Sequence, residues 1–185
     1  MEVIRRSDER HPAKGLLAGA AAGLIAAWAM NQFQAAWSKA SEQLKSGEQK
    51  SQSQNSQSHE REDKHEEKED ATMKAAGKLA QPALGRNLSK QEKKKAGPIV
   101  HYLFGTIAGA AYGLVGEYLP MARVGFGTVF GATLFLLADE LAVPALGLSG
   151  SATEAPLSSH LYGLSSHLVY GASAEGIRRG IAKAG

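Results

Sequence analysis

Apolar residues are gathered into four blocks along this chain, and nearly every charge lies between or beside them. Residues 15–38 and 96–116 contain no charged side chain at all. A third block starts at 124 and reaches 148 with Asp139 and Glu140 inside it, and a fourth covers 157–174. An α-helix needs about 20 apolar residues to cross a hydrocarbon layer roughly 30 Å thick, so each block reads as a membrane helix. The predicted spans are 14–37, 98–118, 124–143 and 157–178. Pro98 suits a first helical turn, Pro120 closes the second span and Pro144 the third. The fourth span carries His160, His167, Glu175 and several serines, so it is expected inside the bundle, shielded by its neighbours.

Between the first and second spans lies a hydrophilic stretch, 38–95. Its middle is a low-complexity run of Ser, Gln, Glu and Lys. Such a run buries too little apolar surface to offset chain entropy, and disorder is predicted there. Short amphipathic helices are predicted near 71–81 and 89–96. The second opens on Ser89-Lys90-Gln91-Glu92, where Ser89 caps the helix and Glu92 reaches back. Residues 1–13 form a basic tail. A cleaved leader is the rival reading of the first block, but an apolar leader core is usually about 7–15 residues and this run is longer. The expected fold class is all-α: a four-helix transmembrane bundle with a long disordered, charged linker between helices one and two.

Composition sharpens this picture. The mean hydropathy of −0.24 averages the apolar blocks against the linker and conceals them. Glycine accounts for 21 of 185 residues, and many of these glycines sit inside the apolar blocks. A glycine costs a soluble helix about 1 kcal/mol against alanine, whereas membrane helices tolerate it. The glycines also recur at every fourth position or its double: Gly15, Gly19 and Gly23; Gly105, Gly109 and Gly113; Gly127 and Gly131; Gly163 and Gly171. In lipid no hydrophobic effect draws helices together, so small residues that admit close backbone approach do that work. These ten are the predicted packing positions.

The net charge of +3 and the pI of 9.1 come mainly from tails and linker. No basic stripe with interleaved aromatics is present, so no nucleic-acid partner is expected. The absence of cysteine excludes disulfides and thiol chemistry. Basic residues flanking the spans divide evenly between the two sides, and the positive-inside rule therefore assigns no orientation. The expected partner is the lipid bilayer, with a second copy of the chain or another membrane protein beside it.

Ionisable residues inside membrane helices face the protein interior or a water-filled cavity. His101, Asp139, Glu140 and His160 come from three helices yet fall at one depth, given the alternating helix directions. His167 lies only ~20° around the helix from His160 and roughly 10 Å deeper. Three readings stand: polar pins between helices, proton or ion handling, and metal or haem ligation. No spacing matches a specific metal motif, and no cofactor is expected. At the other membrane side, Glu117 and Glu175 lie near Arg123, Arg178 and Arg179, and interfacial ion pairs are predicted. No nucleophile elbow, phosphate loop or dinucleotide fingerprint occurs, so the chain reads as non-enzymatic.

The C-terminal half resembles the YagU-like inner-membrane proteins of bacteria, a family of unknown function. The resemblance rests on His101-Tyr102-Leu103-Phe104, on Gly113-Leu114-Val115-Gly116-Glu117-Tyr118-Leu119-Pro120 and on Pro144-Ala145-Leu146-Gly147-Leu148. It is strongest over Gly163-Leu164-Ser165-Ser166-His167-Leu168-Val169, followed by Glu175-Gly176-Ile177-Arg178-Arg179. It covers roughly 98–180. It implies several membrane helices and a bacterial inner-membrane location, and it carries no activity or catalytic residues. The long linker departs from the family pattern.

Overall fold

The structure, a computed structural model, describes residues 11–52 and 69–184. Among the described residues there are five helices and no strand. They are α1 (Pro12–Gln52), α2 (Ala71–Leu84), α3 (Lys90–Tyr118), α4 (128–145) and α5 (Leu157–Ala184). Helix α4 comprises an α-helical part, Thr128–Phe135, a π-helical turn, Leu136–Ala142, and a last turn, Val143–Ala145.

Three helices are long and apolar enough to cross a membrane: Pro12–Leu44, Lys90–Tyr118 and Met121–Ala145, the last including the 3₁₀ turn before α4. Helix α5, with 28 residues, has the length but falls outside that set because of its histidines and serines. The expected four-helix count therefore becomes five helices, three of which have span-like composition.

The two described flanks of the linker, 38–52 and 69–95, are largely helical. Helix α1 continues past Trp37 to Gln52, since Ala40, Glu42, Gln43, Leu44 and Lys45 are good helix formers that prolong an existing helix cheaply. Its 41 residues extend about 60 Å, twice the hydrocarbon thickness. Helix α2 is capped by Asp70, whose carboxylate accepts from the Met73 N–H at 2.8 Å. The capping box at Ser89 and Glu92 is present. The helix it opens does not stop at Gly97-Pro98, however, but runs on as α3. Pro98 removes only one helical hydrogen bond, at a turn where Lys94 and Lys95 are exposed. The core of the linker (53–68) and most of the basic tail (1–10) lie outside the described residues.

Helix α4 also begins later than the expected 124. Gly125, Phe126 and Gly127 all take positive φ (65°, 55° and 82°), which folds 120–127 into a tight reversal. Phe126 is a non-glycine residue in left-handed backbone, an unfavourable state. The Arg179 guanidinium 4.9 Å from its ring centroid holds it in place.

Packing follows the glycines. Helices α1 and α3 run antiparallel, with Gly15 against Gly113, Gly19 between Gly109 and Gly113, and Gly23 between Gly105 and Gly109. A Cβ on Gly113 would lie 2.7 Å from the Gly19 Cα, and one on Gly23 would lie 2.7 Å from the Gly109 Cα. Helix α5 packs on both α1 and α4. Gly131 faces the His167 backbone, and Gly171 faces the Gly127 carbonyl and the Gly131 backbone. Gly127 itself is a turn residue, and Gly163 meets the Phe135 ring rather than backbone.

The contact between α1 and α3 is lined by small residues, with Tyr112 and Tyr170 as the large buried side chains beside it. Ala22, Ala26 and Ala27 are fully buried with the glycines, while Leu17, Ile99, Ile107 and Leu137 remain 56–68% exposed. Large apolar side chains on the outside and small ones within are the reverse of the arrangement water favours.

Candidate functional site

Two polar clusters occupy opposite ends of α5. The first is built on the π turn of α4. Pro144 lacks the N–H that would serve the Glu140 carbonyl, and its ring crowds that carbonyl, so the helix widens just ahead of it. Successive residues of an α-helix point about 100° apart, and the wider turn narrows this angle. Asp139 and Glu140 consequently both reach α5. Glu140 Oε1 lies 2.7 Å from His160 Nδ1, and Asp139 Oδ2 lies 3.7 Å from His167 Nδ1.

Histidine tautomers follow from these partners. His167 Nδ1 is 2.9 Å from the Gly163 carbonyl. A carbonyl only accepts, so Nδ1 carries the proton, and Asp139 adds charge rather than a direct hydrogen bond. The ring of His167 is nearly buried, beside Phe135. On α3, His101 interacts with the Ala27 backbone and lies within electrostatic reach of His167 and Asp139. Its Nε2 is buried with no hydrogen-bond partner among the described residues. The five ionisable residues singled out in the sequence thus meet at one end of the bundle.

An open cleft of about 480 Å³ lies beside them, lined by Phe135, Asp139, Glu140, Glu154, His160 and Tyr162 among others, with no lysine or arginine among the described residues of its wall. The wall can hold positive charge or exchange protons with water. Among the described residues, no group of three or more His, Cys, Asp or Glu side chains could hold a metal ion.

The second cluster centres on Glu175, whose carboxylate is fully buried. It accepts from Tyr112 Oη at 2.8 Å, from Arg178 Nε at 2.8 Å and from Arg179 Nε at 2.6 Å. Arg178 is itself only 8% exposed, while Arg179 reaches outward. The sequence placed Glu175 at a rim, and in the fold it lies in the interior. Arg123 and Glu117 do pair near the surface, at 3.0 Å.

Three buried hydroxyls escaped the sequence reading. Tyr112 stacks on Phe130 with centroids 4.4 Å apart and reaches Glu175. Tyr170 donates to the Gly105 carbonyl at 2.5 Å, and Ser166 to the Tyr162 carbonyl at 2.8 Å. A lone tyrosine beside a glycine stripe was the available signal, because only a neighbouring helix can cover it there.

Fold and clusters together define an all-helical protein with apolar helices of membrane length and polar groups confined to its interior and ends. Residues 64–176 match the family described as "Protein of unknown function (DUF1440)". That is more than half of the chain, and the chain belongs to this family. The matched region begins well before 98, so α2 and the start of α3 are part of the family's domain, while α1 precedes it. No curated protein and no solved structure matches the chain.

Proposed function

We propose that this chain is a YagU-like, multi-pass protein of the bacterial inner membrane, with a non-enzymatic role as a rigid bundle that binds a membrane partner. The observation that supports this is the inverted distribution of side chains. Leucines and isoleucines cover the outside of α1, α3 and α4, while alanine and glycine line the α1–α3 contact inside, around the buried Tyr112 and Tyr170. Helix α5 is the fourth pass, its polar face covered by α1 and α4. Membrane fractionation tests the reading. The full chain should stay in the membrane pellet after an alkaline carbonate wash and require detergent for release. A monodisperse, detergent-free protein in the supernatant would refute it.

A second reading, proton handling, is favoured by the cleft and by the unpartnered His101 Nε2. Histidine titrates near neutral pH and can pass protons between carboxylates. In liposomes carrying the protein, an imposed pH gradient should decay at least about tenfold faster than in empty ones, and His167→Ala should remove most of that gain. Decay no faster than in empty vesicles would end this reading, provided circular dichroism shows the protein folded.

A further inference from the structure

Helix α2 and the first two turns of α3 form an antiparallel pair at the end of the bundle that holds the cleft. Gly97 packs on Thr72 and Met73, and Gly77 packs on the Lys93 side chain. Residues 69–97 contain seven lysines and arginines against Glu69, Asp70 and Glu92. All three carboxylates are already engaged. Glu69 pairs with Lys93 at 3.0 Å, Glu92 pairs with Arg86 at 2.7 Å, and Asp70 caps α2. Residues 69–97 therefore keep a surplus of positive charge, and Lys90 and Lys95 are exposed.

The position of this charge identifies what meets it. Lys95, Ile99, Leu103 and Ile107 follow one another at intervals of four, so they share one face of α3. The three apolar members are 68%, 56% and 60% exposed. A lysine directly above such a stripe lays its methylene stem along apolar surface and carries its ammonium to the level of lipid headgroups. Anionic headgroups attract such basic residues near the membrane surface.

We propose that the α2–α3 pair is a binding surface for anionic phospholipid headgroups of the surrounding bilayer. Charge complementarity and continuity with the apolar stripe carry it, and it rests on the membrane reading above. The competing occupant is residues 60–67 of the same chain, which hold five acids and two bases.

Native mass spectrometry of the full chain in a neutral detergent tests this, with phosphatidylglycerol and phosphatidylcholine of matched acyl chains as probes. At low salt the wild type should bind phosphatidylglycerol about ten- to a hundredfold more tightly, and 0.5 M salt should collapse the preference. The Lys90→Gln/Lys94→Gln/Lys95→Gln variant should bind the two lipids within about twofold of each other, whereas Lys14→Gln/Lys183→Gln should keep the preference. Equal binding of both lipids by the wild type, the result if residues 60–67 fill the surface, overturns the proposal. So does a triple variant that retains the preference. If the triple variant does not fold, the wild-type ratio and its salt dependence decide alone. The carbonate wash separates the two levels: a washed-off wild type defeats the membrane reading, and a retained one without lipid preference defeats this inference only.

Discussion

Leucine at Gly109 is expected to separate α1 from α3 and unfold the bundle. A Cβ at this position would lie 2.5 Å from the Gly19 carbonyl oxygen and 2.8 Å from the Gly23 nitrogen. Both atoms are backbone, so no rotamer change can relieve the clash, and the helices must move apart. Overpacking a core usually costs about 1–3 kcal/mol where side chains can yield. We expect Gly109→Ala to cost at least that much and Gly109→Leu to leave no folded protein. The folded fraction can be followed by circular dichroism while the protein in mild detergent is titrated with sodium dodecyl sulfate. Gly180→Ala is the control, since nothing lies within 4 Å of a Cβ there, and it should unfold at the wild-type midpoint. A Gly109→Leu protein with that same midpoint would disprove the α1–α3 contact.

The second large effect is expected at Glu175. Replacing it by leucine removes the carboxylate that holds Arg178, whose side chain is only 9% exposed. Breaking a buried pair from one side costs about 3–5 kcal/mol, because the remaining charge is left in a low-dielectric interior. Removing both partners avoids that penalty. The double variant Glu175→Leu/Arg178→Leu should therefore recover most of the stability lost by Glu175→Leu alone. Tyr112→Phe, which deletes one hydrogen bond to the same carboxylate, should cost about 1 kcal/mol. The same detergent titration measures all three. If the double variant proves less stable than Glu175→Leu, the attraction of nearby Glu117 suffices to hold Arg178 and the Glu175–Arg178 pair is not the stabilising unit.

The sequence foretold some elements better than others, for identifiable reasons. The helices of the bundle were visible because a run of apolar residues of membrane length is a local property. The capping box at Ser89 was visible for the same reason. The linker was misjudged on both flanks. At 46–52 a polar, low-complexity composition suggested disorder, but helix extension from an already ordered α1 needs no new nucleus. At Gly97-Pro98 a break was expected, but Pro98 removes only one helical hydrogen bond and does so at an exposed turn, so the helix continues through it. The late start of α4 could not be read, because the positive φ at Phe126 goes with packing of its ring against Arg179 and Gly176, contacts between distant parts of the chain.

The polar groups divide in the same way. Shared depth placed His101, Asp139, Glu140, His160 and His167 at one end of the bundle. Depth is simple arithmetic on helix rise and direction. Which imidazole meets which carboxylate depends instead on the rotation of each helix about its axis, and the π turn ahead of Pro144 changes that rotation for α4.

By itself, then, the amino-acid order determined an all-helical chain with lipid-length apolar segments and glycine stripes four residues apart, since both are periodic properties of single helices. Tertiary structure alone decided that Gly19 meets Gly109 and Gly113, that Glu175 is an interior carboxylate under Tyr112, and that Glu140 pairs with His160 beside a cleft. Those outcomes depend on how helices remote in sequence turn and press against one another, and close packing of backbone on backbone leaves very few arrangements that fit.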